Sequence, residues 1–173
     1  ANTRSALGTL LEMFFSCNCR SHSHPAVQRT YLEIVYRYSQ FLQQQQQHIP
    51  NALLGYLHAV GHSSASVRSR ACYLFLRVLK TLRSQVGGHI ADLMGMMEPL
   101  LLADTQALEQ QDRLFLFEAA GNVLGAEGLN HETAAWYLTK LLEPLLERMQ
   151  NGASRYMGAE GGGGAKFPPG CPR

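Results

Sequence analysis

The 173 residues carry 15 Lys and Arg against 13 Asp and Glu, a net charge of +2; 46% are hydrophobic and only 16% charged, against ~25% charged in an average domain. So small a net charge excludes whole-molecule attraction to nucleic acid or membrane and leaves that role to local patches. No apolar run approaches the ~20 residues of a membrane span, the opening residues lack the pattern of a signal peptide, and four scattered cysteines (Cys17, Cys19, Cys72, Cys171) do not resemble a disulfide-stapled secreted domain, which points to a reducing, intracellular compartment.

In chain order, SALGTLLEMFF predicts a shortened first helix and CNCRSH a loop. From Ser23, SHPAVQRTYLEIVYRYSQFL predicts a helix with Pro25 at its first position, where a missing N–H costs nothing. The Gln43–Gln47 run is expected to be a loop. HIPNALLGYLHAV then predicts a helix from about His48, and GHSS a second connector. Over HSSASVRSRACYLFLRVLKTLR, a 100° wheel gathers Val67, Ala71, Leu74, Phe75, Val78, Leu79 and Leu82 on one face. Arg70, Arg77 and Lys80 fall opposite, with Arg83 nearby, and Ser63 or Ser64 is expected to cap the start. HIADLMGMMEPLLL, the loop ADTQALEQ, QQDRLFLFEAAGNVLG and HETAAWYLTKLLEPLLERMQ continue the helical series. Residues 151–173 have glycine, proline and no helical period, and predict a disordered tail.

The pattern repeats. Shifting the second helix by 40 residues lays Val27 on Val67, Tyr31 on Ala71, Ile34 on Leu74, Val35 on Phe75, Arg37 on Arg77 and Tyr38 on Val78. A weaker third copy, offset by 47 or 48, puts Phe115, Ala119 and Val123 on the seam. Helix pairs at this period predict an all-α fold: a right-handed α-solenoid of HEAT-type pairs over residues 1–150, about three and a half repeats long. Each pair closes its apolar stripe only by stacking on its neighbours.

Chemistry-bearing motifs are few. Cys17, Cys19, His22 and His24 are zinc-ligand types, but all four share one short loop, whereas structural zinc sites split their ligands into two separated pairs, so an ordinary connector is expected. GAEGGGGAKF from Gly158 lacks the Gly-Lys-Ser/Thr ending of a phosphate loop, and His131-Glu132 has Ala135 where a zincin needs its second His. No Ser, Cys or Lys is paired with a base, so neither an enzyme nor a cofactor is expected. Arg68, at the edge of the apolar face, is expected to be structural, bonding carbonyls and acids of adjacent repeats. The remaining basic stripe (Arg70, Arg77, Lys80 and Arg83, with Arg37 stacking next to Arg77) is the candidate phosphate contact, since each guanidinium can donate two parallel bonds. A membrane-surface role fits poorly, because stacking already uses the apolar face.

SHPAVQ…YLEIVYRY, QHIPNALLGYL, HSSASVRSRACYLFLRVLK and DRLFLFEAAGNVL resemble the middle of the tRNA exportin (exportin-T) family, within the importin-β superfamily. The resemblance covers roughly Leu7 to Met149. It implies part of a nuclear export receptor that binds mature tRNA together with Ran GTPase in its GTP form, meets nuclear pore proteins, and shuttles between nucleus and cytoplasm without inserting into membrane. Under it, Arg37, Arg70, Arg77, Lys80 and Arg83 become candidate tRNA-binding residues. The alternative is a generic HEAT-repeat interaction scaffold or a transport receptor for protein cargo.

Overall fold

The computed structural model describes residues 6–102 and 108–160. The loop expected at ADTQALEQ lies partly outside the described residues, as do positions 1–5, Cys171 and the rest of the tail from 161 onward.

Every regular element among the described residues is helical: α1 (Ala6–Ser16), α2 (Pro25–Arg37), α3 (Ser39–Gln44), α4 (Ile49–Val60), α5 (Ala65–Thr81), α6 (Ile90–Leu102), α7 (Gln110–Leu124) and α8 (His131–Glu160), with short 3-10 turns before α2, α4 and α6. The stacking is that of an α-solenoid. One layer runs α2, α5, α7, and the other contains α4, α6 and α8; within each pair, α4 lies on α5 and α6 on α7. Bonds between neighbouring helices climb in register. Glu33 meets Arg70, Tyr36 meets Arg77 and Gln43 meets Thr81; further along, Tyr73 meets Phe115, Lys80 meets Glu118 and Arg83 meets Gly125. Residue numbers rise together on both sides, so α2, α5 and α7 are parallel, as the 40-residue shift requires.

All seven seam residues of α5 are buried, and Cys72 and Leu76 join them. Burial pushes the Cys72 thiol up to about 12, so it packs as an apolar group. Tyr56 of α4 crosses the core, lies near Phe75 and donates its hydroxyl to the Leu32 carbonyl at 2.7 Å. Gly55 lets α4 approach α2: an added Cβ would lie 2.8 Å from Tyr31 Cε1.

Four expectations change. The glutamine run is largely helical, since Gln43 and Gln44 close α3 and Gln46 to His48 form a 3-10 turn; glutamine is a good helix former, and Gln43 Nε2 is anchored to the Thr81 carbonyl at 2.7 Å. The expected long second helix breaks at Tyr38 into α2 and α3. Ser64 occupies the cap position of α5, but its side chain makes no capping bond; its hydroxyl lies 3.4 Å from Ser66 Oγ. Finally, α8 continues to Glu160, ten residues beyond the boundary at 150, through a stretch that includes the helix formers Ala153, Arg155, Met157 and Glu160.

Both α6 and α8 carry the stretch EPLL, with Pro99 and Pro144 inside the helices. Their neighbours bond across the layer: Lys140 pairs with Glu98 at 2.7 Å, and Arg148 donates to the Leu102 carbonyl at 2.8 Å.

Candidate nucleic-acid interface

α5 and the turn that follows it present the basic stripe because their seven seam residues turn inward and Arg70, Arg77, Lys80 and Arg83 are left on the outward arc. What each one meets differs. Arg70 Nε donates to Glu33 Oε1 at 2.5 Å. The guanidinium holds the Glu33 carboxyl below its ordinary value of 4.5, and the bond raises Arg70 in turn. Lys80 Nζ lies 2.6 Å from Glu118 Oε1 on α7. Arg83 donates from Nε and Nη2 to the Gly125 carbonyl, at 3.2 and 2.6 Å, closing the end of α7. Two charges of the stripe are therefore paired with carboxylates, and a third is directed to a backbone carbonyl.

Arg77 differs. It is exposed, donates Nη2 to the Tyr36 hydroxyl at 3.1 Å, and lies 5.8 Å from the Tyr36 ring centre and 6.0 Å from that of Tyr73. The hydroxyl bond keeps it firmly cationic. These partners are neutral, so its full charge faces outward, held by two aromatic faces. Arg70 reaches the same Tyr73 ring at 5.4 Å, and Phe115 meets that ring edge-on at 5.5 Å. The cluster is thus an Arg–Tyr ladder crossing from α2 to α7.

The 40-residue shift predicts Arg37 beside Arg77, but the residue that meets Arg77 is Tyr36. Arg37 is exposed and lines an open groove of about 590 Å³ along α2, together with Ala26, Arg29, Thr30, Glu33, Ile34 and Tyr38. Helix geometry explains the change: adjacent residues lie 100° apart, so only one of Tyr36 and Arg37 can face α5. The sequence reading passes over Arg29, although positions 29, 33 and 37 are spaced by four and share a face; that spacing is the available signal.

Arg68 Nη1 donates to the carbonyls of His62 and Ser63, at 2.9 and 2.8 Å, in the connector before its own helix. Arg70, Arg77, Lys80 and Arg83 also make bonds between repeats. The Cys and His loop is occupied by local bonding. Cys17 Sγ donates to the Phe14 carbonyl at 2.9 Å, and Cys17 raises the Cys19 thiol. His22 Nδ1 accepts from His24 N at 3.0 Å, and His24 Nδ1 accepts from Ala26 N at 3.3 Å as the cap of α2. One repeat on, His62 Nδ1 accepts from Ser64 N at 2.9 Å and its other nitrogen lies 3.1 Å from the Ser23 carbonyl. His22 and His62 thus fill one repeat position and brace successive connectors. Among the described residues no group of three or more His, Cys, Asp or Glu could hold a metal ion, and no helix is long and apolar enough to cross a membrane.

A family model described as exportin-T matches residues 1–160. The chain is similar to exportin-T of Mus musculus, 32% identical over 154 residues, covering 84% of this chain and 16% of that protein. It is similar also to exportin-T of Danio rerio, at 34% over 151 residues (83% and 16%), and of Arabidopsis thaliana, at 32% over 155 residues (84% and 16%). The chain spans about a sixth of the length of these curated relatives. No solved structure matches it.

Proposed function

The chain belongs to the exportin-T family, and from that premise we propose that it is one segment of a nuclear export receptor for tRNA, contributing phosphate contacts to the cargo. In this reading it is a right-handed stack of about three and a half HEAT-type pairs within a longer solenoid. The receptor binds mature tRNA together with Ran in its GTP form, passes the nuclear pore, and moves between nucleus and cytoplasm. It performs no chemistry of its own. Its work is differential binding, in which tRNA and the GTPase each favour the same closed form of the solenoid.

The observation that carries the reading is Arg77, an exposed guanidinium fixed by Tyr36 and Tyr73 without a carboxylate partner among the described residues. A cation held this way is oriented before the ligand arrives, which reduces the ordering cost of binding. Arg37 adds a second exposed charge. Arg83, Arg70 and Lys80 contribute as partly engaged donors. Such contacts recognise backbone and shape, as expected for folded RNA, and carry little base sequence.

The test is Arg77→Glu with Arg37→Glu in a full-length receptor carrying this segment, with tRNA binding measured against salt in the presence of Ran-GTP. Each lost phosphate contact should weaken binding similarly for different tRNAs and lower the salt slope by roughly one. Unchanged affinity and slope would overturn the phosphate role and favour the interaction-scaffold reading.

A further inference from the structure

The groups beside the cations of the stripe differ in what they can offer a ligand. Glu33 and Glu118, bonded to Arg70 and Lys80, are carboxylates and only accept hydrogen bonds. The Gly125 carbonyl that meets Arg83 is likewise an acceptor. A phosphate arriving at any of these three finds another acceptor already on the cation. Tyr36 is different. Its hydroxyl accepts from Arg77 Nη2 at 3.1 Å, and a phenol that accepts one bond still has its own O–H to donate. Among the described residues that proton meets no acceptor. Phe115, at the α7 end of the ladder, packs on Tyr73 by its ring alone, so the hydroxyl stands where the unpaired charge is.

Arg77 gives one N–H of its fork to Tyr36, and the others remain for a phosphate. In a ribonucleotide the 2′-hydroxyl is on the carbon next to the one that bears the 3′-phosphate. A neutral donor fixed to the edge of a guanidinium holding that phosphate is therefore placed beside the 2′-hydroxyl. Both groups are held before any ligand arrives. Arg77 lies 5.8 and 6.0 Å from the Tyr36 and Tyr73 ring centres, and both rings pack against the core.

Resting on the cargo reading above, we propose that Tyr36 is a specificity-determining residue for the sugar: Arg77 holds a phosphate while the Tyr36 hydroxyl donates to the 2′-hydroxyl of the ribose that carries it. The 2′-hydroxyl is what separates RNA from DNA at a given contact. A deoxyribose here leaves the Tyr36 proton unpaired, and a site built to bond a hydroxyl rejects the analogue that lacks it. The pair thus takes a ribose-phosphate unit, where a bare cation would take any polyanion.

The experiment is 2′-deoxy interference on a full-length receptor carrying this segment. A tRNA transcript with sparse, randomly placed 2′-deoxynucleotides is bound in the presence of Ran-GTP, and the bound and free fractions are mapped. At one nucleotide the deoxy sugar should be depleted from the bound fraction roughly three- to tenfold, as for one lost hydrogen bond. In Tyr36→Phe that depletion should vanish while the rest of the map stays. Affinity for the unmodified transcript should fall by the same factor, with the salt slope unchanged because no charge is removed. Tyr36→Phe keeps the ring against Arg77, and an unchanged Tm checks that the fold is intact. A map identical in the parent and in Tyr36→Phe overturns the sugar contact, whether or not overall affinity falls; if it falls, Tyr36 only positions Arg77. Failure of the cargo reading is separate: there Arg77→Glu with Arg37→Glu leaves affinity and salt slope unchanged, whereas failure of the sugar contact alone leaves that double reversal still lowering both.

Discussion

Glu33 is where the charge balance of the stripe can be read one residue at a time. Its carboxyl is held below 4.5 first by the Arg70 bond, with Arg29 and Arg37 adding to the effect. A carboxyl depressed in the folded state stabilises fully above its unfolded pKa, and the contribution disappears as pH falls through the folded value. Both partners are more than one-third exposed, so screening keeps the pair to about 0.2–1 kcal/mol. Glu33→Gln should therefore cost that much in urea unfolding at pH 7, with the difference from the parent chain vanishing below pH 4.5. A constant difference across pH would mean that the bond contributes through shape and not charge. The partners of these residues were not legible in the sequence. A wheel gives the angle at which Arg70 or Lys80 leaves its helix, but the acceptor sits 37 or 38 positions away on another helix, and no local periodicity encodes it.

Elements were legible where burial dictates composition. The seam of α5 follows from seven apolar residues at helical spacing, and the parallel stacking of α2 on α5 follows from the repeat. Less visible were features decided by close approach. Nothing local marks Tyr38 as the break between α2 and α3. Gly55 looks like an unfavourable residue inside α4, although it is what admits the Tyr31 ring. Gly55→Ala should gain helix propensity of up to about 1 kcal/mol and lose more to the contact at 2.8 Å, because the buried Tyr31 ring has little room to retreat. The expected net is a loss of about 1–3 kcal/mol, lowering Tm by roughly 2–4 °C for each kcal/mol. A rise in melting temperature in calorimetry would show that α4 and α2 can part without penalty.

Across the whole molecule, α5 and the turn after it bond to both neighbours: Arg70 and Arg77 reach α2, Lys80 reaches α7, and Arg83, just past α5, reaches Gly125 just past α7. Two of these bonds end on carboxylates, which makes Glu33 and Glu118 resident anions on a surface proposed to receive phosphates. An incoming polyanion is thus a competitor in a ligand exchange, and each phosphate bound by Arg70 or Lys80 releases a glutamate that was joining one helix to the next. Binding and helix-to-helix bonding then share the same charges. Glu33→Gln with Glu118→Gln should remove the competitors and tighten heparin or tRNA binding several-fold, about 1 kcal/mol per pair at most, as read by fluorescence anisotropy at low salt. Unchanged affinity would mean that the glutamates never leave their partners. If they do leave, the solenoid trades internal cohesion for grip, and the same residues that join one helix to the next register the arrival of cargo.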